Sequence, residues 1–102
     1  VESPAADPAI VLMPTYHPFE LMLEKLICEC SDCATLDVTA ERGEHFGVVI
    51  RHRGYPVGVW SMVGGRFCFR NIAVWEILHA EPDAASAYAA TLVMARSNYW
   101  GA

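Results

Sequence analysis

Two glycine turns set ten residues apart constrain this chain more than any other feature. In "HRGYPVGVWSMVGGRFCF" (52–69), Gly54-Tyr55 and Gly64-Gly65 interrupt runs rich in β-branched and aromatic residues. Glycine accepts the positive φ of tight hairpin turns, and Gly-Gly between such runs is a strong hairpin signal. The spacing predicts strands over 46–54, 56–63 and 66–71 in an antiparallel meander. "ATLDVTAE" (34–41) alternates Leu36 and Val38 with Thr35, Asp37 and Thr39, the pattern of an edge strand. "IAVWEILHA" (72–80) extends the sheet as a further strand after a bulge at Arg70-Asn71, with a short helix as the alternative.

Helices are expected on either side of this sheet. Phe19, Met22, Leu23, Leu26, Ile27 and Cys30 form one apolar stripe, with His17 as cap and Pro18 at the first helical position. This predicts a helix over 18–31, with Glu20, Glu24, Lys25 and Glu29 facing away. At the other end, Pro82 opens an alanine-rich segment whose Ala85, Tyr88, Ala89 and Leu92 form a slim face for the sheet. Tyr99 and Trp100 follow and are expected to dock. The fold class is α+β: an N-terminal helix, an antiparallel meander of four to five strands, and a C-terminal helix packed on the sheet. Residues 1–16, with prolines at 4, 8 and 14, are read as an extended arm before a single domain over 17–102.

A two-residue loop fixes register, so facing pairs follow from the turns. With Gly54-Tyr55 as the loop, Val49 faces Trp60 and Ile50 faces Val59. Across Gly64-Gly65, Trp60 faces Phe69, Ser61 faces Cys68 and Met62 faces Phe67. One face then holds Val49, Arg51, Trp60, Met62, Phe67 and Phe69. The other holds Phe46, Val48, Ile50, Val57 and Val59 at an apolar end, and His52, Ser61, Arg66, Cys68 and Arg70 at a polar end. Both faces require cover. Hydrophobic residues make up 54 % of the chain and charged residues only 19 %, more apolar material than so small a body can enclose. A homodimer through Phe46, Val48, Ile50, Val57 and Val59 is the simplest cover.

Net charge is -5, which disfavours nucleic acid as a partner. The charge is uneven: residues 1–41 carry a balance of -7, whereas 42–70, with Arg42, Arg51, Arg53, Arg66 and Arg70, carry +4. That middle segment either forms a basic face or pairs with the acidic flanks. No run of apolar residues is long enough for a membrane span, and clustered free cysteines without a leader pattern suit a reducing cytoplasm.

Chemistry-bearing patterns are few. Cys68 lies between Arg66 and Arg70 on one side of its strand, with Ser61 opposite and His52 farther along the same face. The arrangement offers a small anionic ligand, or a thiol nucleophile, a place to bind. "CECSDC" (28–33) has C-x-x-C spacing at Cys30 and Cys33. Placed at the end of a helix it disfavours a thiolate, and no second ligand pair completes a zinc site, so the cysteines are read as core or surface thiols. No nucleotide, hydrolase or metalloprotease motif is present, and no cofactor is implied. The expectation is a non-catalytic interaction module, dimeric, binding a protein or small acidic ligand, of the kind met among bacterial or mobile-element accessory proteins. A small enzyme or ligand-binding protein with its pocket at Cys68, Arg66 and Arg70 is the alternative.

Overall fold

The computed structural model describes residues 15–101. Most of the expected arm, residues 1–14, therefore lies outside the described residues. Helix α1 spans Pro18–Cys28, α2 Ser31–Leu36 and α3 Ala84–Ser97; the strands are β1 (Val38–Arg42), β2 (Val48–His52), β3 (Tyr55–Val63), β4 (Arg66–Asn71) and β5 (Ile77–Glu81). The strands form one antiparallel sheet in sequence order, so each pairs with its chain neighbours. The architecture is α+β, with the C-terminal helix on the sheet. No helix among the described residues is long and apolar enough to cross a membrane.

Helix α1 starts as its sequence dictates. His17 Nδ1 accepts the Phe19 N–H at 3.0 Å, and Glu20 Oε1 accepts the His17 N–H at 3.0 Å. Glu20 is buried rather than turned to solvent, because its second oxygen also accepts the Met62 N–H of β3 at 3.3 Å. Leu23 and Ile27 are buried and Phe19 and Leu26 pack beside them, whereas Met22 is exposed. The helix ends three residues earlier than expected. Cys30 takes an extended conformation (φ -93°, ψ 125°) and caps α2, its Sγ accepting the Cys33 N–H at 3.4 Å. Strand β1 begins only at Val38, after Asp37 turns through φ 60°.

The β3–β4 hairpin has the expected register: Trp60 opposite Phe69, Ser61 opposite Cys68, Met62 opposite Phe67. The β2–β3 hairpin does not. Its turn is Arg53-Gly54, with φ of 56° and 86°, and His52 stands opposite Tyr55. Two positive φ values in a two-residue loop match the natural twist of a hairpin. A bulge at Val57 then brings Val48 opposite Trp60, Val49 opposite Val59 and Ile50 opposite Gly58. A one-residue slip exchanges the faces of a strand. Val48 and Ile50, expected on the second face with Val57 and Val59, are fully buried in the main core.

That core lies between the Trp60 face and the helices. Trp60 meets Phe67 and Phe69 with ring centroids 5.3 Å apart in each pair. The Trp60 indole N–H donates to Thr91 Oγ1 at 2.9 Å, and that hydroxyl donates to the Ala87 carbonyl at 2.8 Å, so no polar atom of the pair is left unmade. Asp83, not Glu81 or Pro82, caps α3 through the Ser86 N–H at 2.9 Å. This shifts the helix phase: Ala84, Ala87, Thr91, Leu92 and Ala95 face inward, and Ala85 and Ala89 are exposed. Trp100 docks and is buried, whereas Tyr99 stays exposed.

Candidate interaction surface

The opposite face of the sheet carries Val49, Val59, Ser61, Cys68 and Arg70. Val59 and Cys68 are buried yet belong to no part of the helix-covered core. Of the expected ligand-binding residues, Ser61, Arg66, Cys68 and Arg70 do share this face. His52 does not: it is buried on the helix side, where Nδ1 accepts the Trp100 indole N–H at 3.1 Å. The change again follows from the β2 register. Cys68 has its Sγ 3.6 Å from the Arg66 carbonyl, and Arg66 itself is exposed. The Arg70 guanidinium lies over the Trp75 ring, 5.5 Å from its centroid, with Nε buried and without a hydrogen-bond partner among the described residues.

The segment expected to continue as strand from residue 72 instead turns sharply, and Asn71 is the cause. Asn71 is 3 % exposed. Its Oδ1 accepts the N–H groups of Ala73 at 2.7 Å and Val74 at 3.1 Å. Its Nδ2 donates to the Trp100 carbonyl at 2.8 Å. The Trp75 N–H closes the turn on the Asn71 carbonyl at 2.7 Å, with Trp75 in the left-handed region at φ 59°. A bulky residue there is strained unless its surroundings hold it. The result is an apolar turn facing outward: Ile72, Val74, Trp75 and Ile77 are 42, 51, 45 and 46 % exposed. Ile77 stands opposite Arg70, which ties the turn to the rim of the second sheet face.

Comparison with family models, curated proteins and solved structures finds no match. The geometry of the chain itself is therefore the basis for a functional reading. Beside the turn, a hollow of about 290 Å³ opens between Pro56, Val57, Ile72 and Tyr99. Its walls are mostly apolar, and Tyr99 places an exposed ring at its mouth. Of the residues expected at an interface, Val57 lines this hollow, Phe46 is exposed in the β1–β2 connection, and Val59 is buried on the second face.

The basic middle segment is partly spent on its flanks. Arg42 pairs with Glu24 at 2.8 Å and Arg51 with Glu41 at 3.1 Å. Such exposed pairs contribute little stability; Arg70, over the Trp75 ring, is the cation beside the apolar turn, and Arg66 lies at the other end of β4. Among the described residues no three His, Cys, Asp or Glu side chains converge to hold a metal ion. Sequence patterning missed the turn because an apolar run of this length resembles a strand. The overlooked signal was Asn71, a residue whose side chain builds turns by accepting N–H groups two and three positions ahead.

Proposed function

We propose that this chain is a non-catalytic interaction module that associates with a second copy of itself through the Ile72–Ile77 turn and the sheet rim beside it. One observation carries the reading: four large apolar side chains are held out to solvent within six residues by a buried asparagine whose side chain makes three hydrogen bonds. Contiguous exposed apolar side chains of this kind mark interaction sites. A preformed turn loses little conformational freedom on docking, so more of the contact free energy appears as affinity. Tryptophan and arginine, here Trp75 with Arg70 over its ring, are among the residue types that most often dominate binding. The patch carries both charges, Arg70 and Glu76, as a two-fold self-contact requires if each is to meet its opposite.

Sedimentation velocity across a concentration series tests this. Wild type is expected to be dimeric at tens of micromolar, and Val74→Asp and Ile77→Asp to be monomeric with unchanged far-UV circular dichroism. A monomeric wild type, or a dimer indifferent to both substitutions, refutes the proposal. A small anionic ligand is a second reading, favoured by the buried and unpartnered Arg70 Nε. It predicts that titration with inorganic phosphate releases heat in wild type and none in Arg70→Ala.

A further inference from the structure

Far from the Trp75 turn, the break between α1 and α2 brings sulfur chemistry together. Cys30 is half-buried and Cys33 is fully buried. Cys30 Sγ receives the Cys33 backbone N–H at 3.4 Å and is hydrogen-bonded to the Tyr88 hydroxyl, which reaches it from α3. The C-x-x-C spacing across this cap sets Cys33 beside the same sulfur. A hollow of about 200 Å³, lined by Ile27, Cys28, Cys30, Ala34, Val38 and Thr39, opens here. A half-buried sulfur with polar partners thus stands next to a residue whose thiol is buried. The helix does not simply close over the C-x-x-C pair, as the sequence suggests; the chain breaks and rebuilds around it.

We propose that Cys30 and Cys33 form a redox-active dithiol that reduces a disulfide presented in this hollow. Cys30, as thiolate, attacks one sulfur of the incoming disulfide. A mixed disulfide forms, and the other sulfur leaves as a thiolate. Cys33 then gives up its proton to that leaving sulfur and attacks Cys30 Sγ. The mixed disulfide breaks and the second sulfur of the substrate departs as a thiolate, which takes the proton that Cys30 had lost. Two electrons pass from the pair to the substrate, leaving a Cys30–Cys33 disulfide and two substrate thiols. Division of labour between the two sulfurs is built in. Hydrogen bonds from Tyr88 and the Cys33 N–H hold the Cys30 thiol below its ordinary pKa, and burial pushes Cys33 up to about 12. Cys28 is exposed and lines the same hollow, but it is bonded to the Ala40 carbonyl at 3.5 Å, so it is the rival thiol that the test must separate from Cys30.

The test mixes reduced protein with one equivalent of either oxidised glutathione or insulin, quenches with acid, alkylates, and maps the cysteines by mass. Wild type and Cys28→Ala are expected to acquire a Cys30–Cys33 disulfide. Cys33→Ala is expected to stop at a mixed disulfide on Cys30, and Cys30→Ala to form no adduct at Cys33 in the same time. Tyr88→Phe, which leaves both thiols in place, is expected to slow attack at neutral pH by about three- to fourfold for each unit its hydroxyl lowers the thiol, because the loss of thiolate is partly offset by the greater nucleophilicity of a more basic sulfur. Oxidation by glutathione alone identifies a small disulfide as substrate, and oxidation by insulin as well identifies a protein disulfide. Inertness towards both, a disulfide involving Cys28, or an unchanged rate in Tyr88→Phe overturns the proposal.

Discussion

Asn71→Ala removes one small side chain and tests how the exposed turn is held. The side chain makes three hydrogen bonds, two received from the turn and one given to the Trp100 carbonyl. A buried carbonyl left without its donor costs about 1–3 kcal/mol, and each N–H group of the turn adds about 0.5–1.5 kcal/mol where water does not replace the amide. The expected loss is about 3 kcal/mol, a large share of the stability of a domain of this size. Asn71→Asp separates the two roles. A carboxylate still accepts from Ala73 and Val74 but gives nothing to Trp100 and places a charge in a buried site, so at neutral pH it should be less stable than the alanine variant. Burial raises the folded-state pKa of that aspartate above its unfolded value of about 3.9. Protonation restores a donor, and the stability of Asn71→Asp relative to wild type should recover as pH falls from neutral towards about 4. Urea unfolding followed by tryptophan emission measures all three proteins, at a concentration where they share one oligomeric state, since association adds to apparent stability. An alanine variant within about 0.5 kcal/mol of wild type would show that the turn stands without Asn71, and the preformed-anchor explanation would fail with it.

Other expectations are simpler. Gly58→Ala would set a Cβ 2.1 Å from Phe69 Cζ and 2.6 Å from the Arg70 carbonyl; with Phe69 fully buried, thermal unfolding should show a loss of about 1–3 kcal/mol or a failure to fold. Thr91→Val strands the Trp60 indole N–H and should cost about 1–3 kcal/mol in denaturant unfolding, whereas Thr91→Ser, which keeps the oxygen, should cost less. Alkaline pH should destabilise the reduced fold. Burial holds Cys33 at about 12 against an ordinary 9.0, and the bond to Cys30 holds Tyr88 at about 12 against 10.0, so between those limits the unfolded chain binds fewer protons than the native one. Cys30, lowered in the fold, works in the opposite sense. Urea midpoints that rise from pH 9 to pH 11 would contradict this balance.

Much of the fold was legible because its strongest signals are local. Pro18 with His17 starts a helix wherever an apolar stripe follows, and Gly64-Gly65 fixes the β3–β4 register through backbone geometry alone. The β2–β3 register was not legible, because it depends on Arg53 adopting a conformation that glycine usually supplies and on a bulge at Val57. That single slip misplaced Val48, Ile50 and His52. The helix break at Cys30 was hidden for another reason: a cysteine sulfur is an uncommon cap, and the stripe of apolar residues runs on past the point where the helix stops. Of the candidate site, Ser61, Arg66, Cys68 and Arg70 were placed together by strand alternation, which needs only one correct hairpin. The Trp75 turn depends on a tertiary bond from Asn71 to Trp100, twenty-nine residues away in sequence, and no periodicity records it.

Strands that pair only with their chain neighbours also set an order of events during synthesis. As residues leave the ribosome, β1 to β5 meet their partners one after another, with short loops and small closure costs. The helix side is different. Trp60 waits for Thr91, and Leu23 and Ile27 share a core with Leu92 and Ala95, which are made some seventy residues later. Until α3 is released, the nascent chain is a nearly finished sheet whose aromatic face is covered by α1 alone. That interval is when a holdase chaperone has the most to grip, and it lasts until 84–97 is free to pack.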